Sequence, residues 1–261
     1  MDVIHLTVGL LATNCYILYL PQGKGRLTEG FVLDPGADGR GCEEILEVLK
    51  RYNIKVKAII NTHGHADHIL GNEVLRMATG CEVWMSKEES DIAADADKNI
   101  SEMVCREESF VKQPMTGASK AVNAAKTVVV GKDCKATEAH KKVMPVCVKG
   151  SNFCFTGVDR FLEEGESIKL VDRPVLRVVS LPGHSPGGIG LITVDKRYAF
   201  LGDLIFEQGY GRTDLWGGDA TALKKSLERI RKELKTDTII CPGHGESFML
   251  KGRGYPFLPL L

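Results

Sequence analysis

Three features are missing from this sequence of 261 residues: a net charge, a long apolar run and a Cys-x-x-Cys pair. Lys plus Arg and Asp plus Glu each number 34, so the formal charge is zero and no electrostatic footprint for nucleic acid is expected. No apolar stretch approaches the roughly 20 residues that span a bilayer, and no basic segment followed by an apolar one opens the chain. We therefore expect no nucleic acid partner, no membrane and a cytoplasmic location.

The eight cysteines are scattered along the chain, which indicates reduced thiols rather than a disulfide framework. Four of them, Cys105, Cys134, Cys147 and Cys154, fall in one stretch and could form a small structural zinc site with His140. Their spacings match no usual zinc module. The sequence therefore favours partly buried free thiols.

Hydrophobic periodicity divides the chain into two similar halves, each with a β meander followed by a helix and a further strand. Strands are predicted at 3–8, 15–20, 30–33, 55–60 and 82–85, and again at 166–170, 175–181, 189–194, 197–201 and 238–241. Helices are predicted from Gly39 to about Tyr52, in one stretch ending at Thr79, and after Asp219. This echo predicts an α/β fold, a four-layer αββα sandwich of two mixed β-sheets flanked by helices.

The periodicity weakens between 91 and 157, where Ala, Lys, Ser and Thr dominate. We interpret this segment as an insertion in a single domain that spans 1–261. Such an insertion would serve as a lid or as the contact of a homodimer.

Five of the seven histidines lie at only three places, each beside Gly or Asp at the end of a predicted strand. The segment 61–68 holds three of them, and the other two are His184 and His244. Asp203 follows another strand end between these two. Histidines and carboxylates without thiolate form a ligand set suited to zinc, iron or manganese. The sequence therefore predicts a metal centre where strand-end loops converge.

Successive side chains of the His-x-His-x-Asp-His run point in different directions on a tight loop, which predicts two metal ions. The predicted ligands are His63, His65 and His184 for the first ion and Asp67, His68 and His244 for the second, with Asp203 between them as a bridging carboxylate. Adjacent divalent cations share and acidify one water and so supply hydroxide at neutral pH. Zinc is the expected metal, with iron and manganese left open.

With these motifs in order, the sequence resembles the metallo-β-lactamase superfamily, and within it the glyoxalase II-type branch of hydroxyacylglutathione hydrolase-like enzymes. The matching motifs run from Asp34 to His244 and extend across nearly the whole chain. The resemblance implies the αββα fold and a role for Asp34 in orienting a histidine ligand. It also implies hydrolysis of a small-molecule thioester by metal-bridged hydroxide, with Asp67 orienting the nucleophile as well as binding metal.

The segment 209–214 is a further match, similar to the Gly-Arg-Thr-Asp segment of glyoxalase II-like hydrolases and of persulfide dioxygenases. It predicts Tyr210 and Arg212 as substrate-binding residues. Arg212 could bind a substrate carboxylate bidentately or brace a metal-site loop through Asp214. Only 17 residues follow His244, so the helical domain that holds glutathione in glyoxalase II is not expected, and the thiol carrier stays open.

Two other functions fit the same residues. Persulfide dioxygenases share this scaffold but bind one iron through two histidines and a carboxylate, for which His63, His184 and Asp203 would serve. The chain would otherwise be a binding protein that merely retains a metal centre. Metal analysis separates the dioxygenase, with its single iron, from the two-metal hydrolase. A bound metal without turnover would identify the binding protein.

Overall fold

Two mixed β-sheets of six strands each form the centre of this computed structural model, which describes residues 1–23, 26–37, 39–95, 98–99, 146–147, 154–155 and 157–249. The first sheet contains, in spatial order, β1 (Asp2–Val8), β2 (Thr13–Tyr19), β3 (Thr28–Leu33), β4 (Ile54–Ile60), β5 (Glu82–Met85) and β8 (Arg160–Phe161). The second contains β16 (Phe248–Met249), β15 (Ile239–Pro242), β12 (Tyr198–Gly202), β11 (Ile189–Thr193), β10 (Arg173–Ser180) and β9 (Ser167–Leu170). Two short hairpins pair β6 (Val146–Cys147) with β7 (Cys154–Phe155) and β13 (Ile205–Phe206) with β14 (Gly209–Tyr210).

Helices cover the outer face of each sheet. They are α1 (Gly39–Arg51), α2 (Ala66–Ile69), α3 (Asn72–Thr79), α4 (Lys87–Ala93) and α5 (Ala220–Glu233). Because side chains alternate along a strand, Phe31 enters the core between the sheets while Val32 enters the core beneath the helices of the first sheet. Leu191 and Ile192 divide in the same way between the central core and the core under α5. The predicted αββα sandwich is confirmed.

Parallel pairing places selected strand ends at one edge of each sheet. β3 and β4 run parallel with Leu33 opposite Ile60, so the chain leaves both strands side by side. β12 and β15 also run parallel, with Gly202 opposite Pro242. The residues that follow these four strand ends include most of the predicted ligands.

The helical stretch predicted up to Thr79 corresponds to α3, which ends at Thr79 and is separated from α2 by Leu70 and Gly71. The amide of Gly71 donates to the carbonyl of Pro35 over 2.8 Å, and a Cβ at this position would lie 2.5 Å from the same oxygen. The loop after β3 therefore packs directly against the backbone of Gly71, where a side chain would not fit.

The insertion predicted at 91–157 stays a prediction, as does the single-domain organisation, because most of that segment lies outside the described residues. The same holds for the alternative zinc site, whose Cys105, Cys134 and His140 are not described. Cys15, Cys42, Cys81 and Cys241 are buried free thiols. None of the helices described here is long and apolar enough to cross a membrane.

Candidate metal centre

The seven predicted ligands follow four strand ends. His63 and His65 lie in the loop after β4, and Asp67 and His68 in the short helix α2 that follows it. The other three each follow a strand of the second sheet: His184 after β10, Asp203 after β12 and His244 after β15. The structure brings all seven into one cluster between the sheets.

The first predicted group is compact and buried. The ligand atoms of His63, His65 and His184 lie within 4.8 Å of one another, and all three residues are buried. His65 Nδ1 and His184 Nε2 are 3.0 Å apart. Two nitrogen ligands on a tetrahedral zinc are about 3.3 Å apart, given metal–nitrogen bonds of about 2.0–2.1 Å. The spacing therefore suits two ligands of one ion.

The second predicted group lies beside the first, and Asp203 is placed between them. The ligand atoms of Asp67, His68 and His244 also lie within 4.8 Å of one another. The carboxylate of Asp203 is 3.5 Å from His68 Nε2, 3.6 Å from His244 Nε2 and 3.7 Å from His184 Nε2. Asp203 thus contacts imidazoles of both groups, as a bridging carboxylate must.

Hydrogen bonds to Nδ1 turn three of the imidazoles so that Nε2 faces the cluster. The Thr62 hydroxyl donates to the Asp34 carboxylate over 2.6 Å, so its oxygen is left to accept from His63 Nδ1 at 3.1 Å. His184 Nδ1 donates to the carbonyl of Arg212 over 2.8 Å, and His244 Nδ1 donates to the carbonyl of Leu11 over 3.0 Å. Fixing the proton on Nδ1 leaves the lone pair on Nε2 for a metal.

Asp34 contacts both Thr62 and His68 beside the cluster. Its carboxylate accepts hydrogen bonds from the Thr62 amide (2.7 Å) and hydroxyl (2.6 Å), and it lies 3.1 Å from His68 Nδ1. Its backbone has φ of 46°, a left-handed conformation that Asp tolerates better than most residues. The residue is therefore both a turn residue and a partner of His68.

Burial and the neighbouring charges set the electrostatics of the cluster. Burial, reinforced by adjacent imidazoles, lowers the pKa of His63 well below its ordinary value and that of His65 to about 4. Burial also opposes charge on His68, but the carboxylates of Asp67 and Asp203 outweigh it and raise the pKa of His68. The pKa of Asp203 is lowered because His68 outweighs the effect of burial. The surroundings of His63 and His65 therefore favour the neutral imidazole, which is the form that binds metals. The carboxylates around His68 favour its protonated form.

Several polar atoms at this place are buried without a hydrogen-bond partner among the described residues. They are His63 Nε2, His65 Nε2, both ring nitrogens of His68 and Asp203 Oδ1. Buried polar atoms are normally paired, since leaving one unpaired costs about 1–3 kcal/mol. His63, His68 and Asp203 also form a group whose ligand atoms lie within 4.8 Å of one another, so unpaired atoms of these residues fit a bound divalent cation.

Asp67 does not cap the helix in which it lies. His65 is the N-cap of α2 and no side chain bonds to the helix end. The Asp67 carboxylate instead lies 3.2 Å from His244 Nε2 and 3.6 Å from His68 Nε2. Its geometry matches the ligand group rather than the capping alternative.

The two predicted substrate-binding residues lie at the surface near His184. The Arg212 guanidinium forms two hydrogen bonds of 2.7 Å with Asp214, and its backbone carbonyl orients His184. Tyr210 lies in β14 and is 37% exposed. The bracing role weighed for Arg212 therefore corresponds to an observed contact, whereas its contact with substrate stays a prediction.

Thr62 and Asn14 position ligands through hydrogen bonds but are not among the predicted site residues. Asn14 Nδ2 donates to the carbonyls of Pro242 (3.0 Å) and Gly245 (2.7 Å), on either side of His244. Thr62 was visible as the polar residue directly before His63. Asn14 gave no signal, because its two partners lie more than 200 positions away in the chain.

Comparison with known proteins agrees with this geometry. The sequence model described as "Metallo-beta-lactamase superfamily" matches residues 8–244. The chain belongs to the metallo-β-lactamase superfamily. Membership of this superfamily of metallo-hydrolases indicates an enzyme, and the His and Asp cluster indicates divalent metals as its cofactors.

Relatives within the metallo-β-lactamase superfamily support the glyoxalase II-like branch. The chain is 28% identical over 266 residues to hydroxyacylglutathione hydrolase GloC of Haemophilus influenzae, covering 99% of this chain and 98% of GloC. Among solved structures, the BLEG-1 B3 metallo-beta-lactamase is similar with a TM-score of 0.68 and 26% identity, over 95% of this chain and 94% of that one. TTHA1623 in a di-iron-bound form is similar with a TM-score of 0.64 and 25% identity, over 98% and 100%.

Proposed function

We propose that this chain is a metal-dependent thioesterase that hydrolyses a small-molecule thioester. The observation that carries the proposal is the convergence of five imidazoles and two carboxylates in overlapping groups of three, each with its ligand atoms within 4.8 Å of one another. The similarity to GloC supports the thioester class, since that relative is a hydroxyacylglutathione hydrolase.

The proposed ligands follow the two observed groups. His63, His65 and His184 would hold one divalent cation, and Asp67, His68 and His244 the other. Asp203 lies within 3.7 Å of imidazoles from both groups and would bridge the two cations. Zinc suits this nitrogen and oxygen donor set, as do iron and manganese, and TTHA1623 is a di-iron relative.

The chemistry of the site divides between the cations and the protein. When bound, the two cations would acidify a shared water and polarise a carbonyl oxygen. Asp67 is buried and its carboxylate faces the centre, so it would hold the attacking water in line as well as bind metal. A thiolate needs little help to leave, and the site requires no separate general acid.

Residues on the loop after β14 would complete the site on the substrate side. Arg212 and Tyr210 are exposed beside the His184 loop, where a polar group of the substrate would approach. The buried free thiols favour a reducing compartment, so we propose the cytoplasm as the site of action. The segment 91–157 remains a proposed lid or dimer contact.

Metal content and thioester hydrolysis measured on the same purified sample test the proposal. His65→Ala removes one ligand of the first group, so we expect loss of one metal equivalent and a fall in the hydrolysis rate of at least about 100-fold, given the many kcal/mol that metal activation contributes. Met77→Ala is the control, because Met77 is 66% exposed on α3, and it should keep both metal content and rate.

Other results would reject the proposal in identifiable ways. Undiminished hydrolysis by His65→Ala would remove the metal mechanism. A single iron with oxygen uptake on glutathione persulfide would replace the thioesterase with the dioxygenase. Two bound metals without turnover on a broad panel of esters and thioesters would leave a non-catalytic metal-binding protein.

A further inference from the structure

Glu89 is a fully buried carboxylate in α4 that contacts none of the proposed ligands directly. Its relative exposure is 0%, and α4 lies in a part of the chain for which the sequence predicted no helix. Carboxylates are almost never fully buried unless they are paired. We therefore expect the Glu89 carboxylate to have hydrogen-bond partners inside the protein.

The partners of Glu89 include two backbone amides, one from each loop that carries the first histidine group, and the hydroxyl of Ser185 beside His184. The Gly64 amide, between His63 and His65, donates to Glu89 Oε2 over 2.7 Å. The Gly187 amide, three residues after His184, donates to Glu89 Oε1 over 2.7 Å. One carboxylate thus joins a loop of the first sheet to a loop of the second.

Ser86 adds a second contact between α4 and the same loop. Its hydroxyl donates to the Gly187 carbonyl over 2.6 Å. The amide and the carbonyl of Gly187 are therefore both bonded, to Glu89 and to Ser86. Ser86 also caps α4, accepting from the Glu89 amide at 3.4 Å. The cap and the carboxylate are therefore held on one turn of helix.

Glycines allow the helix to pack directly against both loops. A Cβ at Gly64 would lie 2.5 Å from the Glu89 carbonyl oxygen, and a Cβ at Gly187 would lie 2.6 Å from Ser86 Oγ. No side chain could be accommodated at either position without moving the helix. The first turn of α4 therefore packs directly against both the Gly64 loop and the Gly187 loop.

We propose that Glu89 is a positioning residue that sets the separation of the His63–His65 loop and the His184 loop, and thereby the affinity of the first metal site. The inference rests on the proposed function, because it takes the first histidine group to be a metal site. A direct bond also joins the loops, from the Ile189 amide to the Thr62 carbonyl over 2.9 Å. If that bond alone set the separation, replacing Glu89 would leave the first site unchanged.

Zinc titration against a chromophoric chelator tests the inference, with Zn²⁺ as the only probe. The wild-type protein should bind two ions, and His65→Ala identifies the binding step that belongs to the first site. Glu89→Gln keeps the size of the side chain but places an amide NH₂ opposite one of the donating amides. We expect about 10- to 100-fold weaker zinc binding at the first site, the usual effect of replacing a group that supports a ligand, with the second site changed less than threefold.

Three further variants separate positioning from charge and from general loss of structure. Glu88→Gln is the matched control, since it removes one negative charge at the adjacent, exposed position of the same helix, and it should bind zinc as the wild type does. Glu89→Asp keeps the charge but is too short to reach both amides, so it should be weakened as Glu89→Gln is. Ser86→Ala removes the bond to the Gly187 carbonyl and the cap bond from the Glu89 amide but keeps the Glu89 carboxylate, and it should weaken the first site by several-fold, even if Glu89→Gln does not fold.

The outcomes distinguish this inference from the proposed function. A wild-type protein that binds no zinc would overturn the proposed function. A wild-type protein with two sites and a Glu89→Gln variant with unchanged affinities would overturn only the role of Glu89. Full recovery in Glu89→Asp, or equal weakening of both sites in all folded variants, would also overturn the positioning role.

Discussion

Replacing Asp34 by Ala should destabilise the metal-free protein by about 3–6 kcal/mol. The change removes the acceptor of two buried hydrogen bonds, those from the amide and the hydroxyl of Thr62, and hydrogen bonds to a charged group contribute about 1.5–3 kcal/mol each. The whole free energy of unfolding of a domain is about 5–15 kcal/mol. The loss is therefore a large fraction of the total.

Guanidinium unfolding in the presence of a chelator, followed by far-UV circular dichroism, measures this effect without any contribution from bound metal. Asp172→Ala is the control, because Asp172 also has a left-handed backbone, with φ of 61°, but is exposed. The penalty for placing Ala in that conformation is common to both variants and cancels in their difference. Asp34→Asn, which keeps one acceptor oxygen, should fall between the wild type and Asp34→Ala. An Asp34→Ala variant within about 1 kcal/mol of Asp172→Ala would refute the argument, since a single buried charged hydrogen bond already exceeds that value.

Two further variants probe the cluster and the surface. In Gly243→Ala the new Cβ would lie 2.1 Å from Asp203 Oδ1, so we expect this variant to bind less metal than the wild type. Gly39→Ala is the control, because no atom lies within 4 Å of its new Cβ, and it should bind as much metal as the wild type. Equal metal content in the two variants would contradict this geometry. In Glu164→Gln the hydrogen bonds from the Arg229 guanidinium, which lower the pKa of Glu164, are weakened. Because the pKa of Glu164 is lower in the folded state, its stabilisation is present above the unfolded pKa of about 4.3 and is lost as the pH falls through the folded pKa. A gap of about 0.5 kcal/mol in unfolding free energy at pH 7 should therefore narrow as the pH falls below about 4.3. A gap that keeps the same size as the pH falls would contradict this assignment.

The sequence predicts the sheets well because their strands alternate or are continuously apolar, and both patterns are local. It also predicts the candidate ligands, because each lies directly after a strand end and carries a distinctive side chain. The order in which strands pair is not predicted in this way. Asp203 and His244 lie 3.6 Å apart because β12 and β15 are parallel neighbours, although about 40 positions of sequence separate the two residues. Strand-end motifs place side chains at an edge of a sheet, but a second observation is needed to say which edges adjoin.

The polar residues that hold the ligands in place are harder to predict, for a physical reason. Glu89 bonds to the backbone amides of Gly64 and Gly187, and every residue except proline offers such an amide, so residue type does not signal these two contacts. The traces that this contact does leave are Gly64 and Gly187, which are needed because the helix approaches the backbone closely. In addition, α4 lies at the edge of a segment whose periodicity is weak. A glycine beside a metal ligand can therefore indicate that another element packs against the ligand loop. The search for positioning residues in a sequence should begin from such glycines.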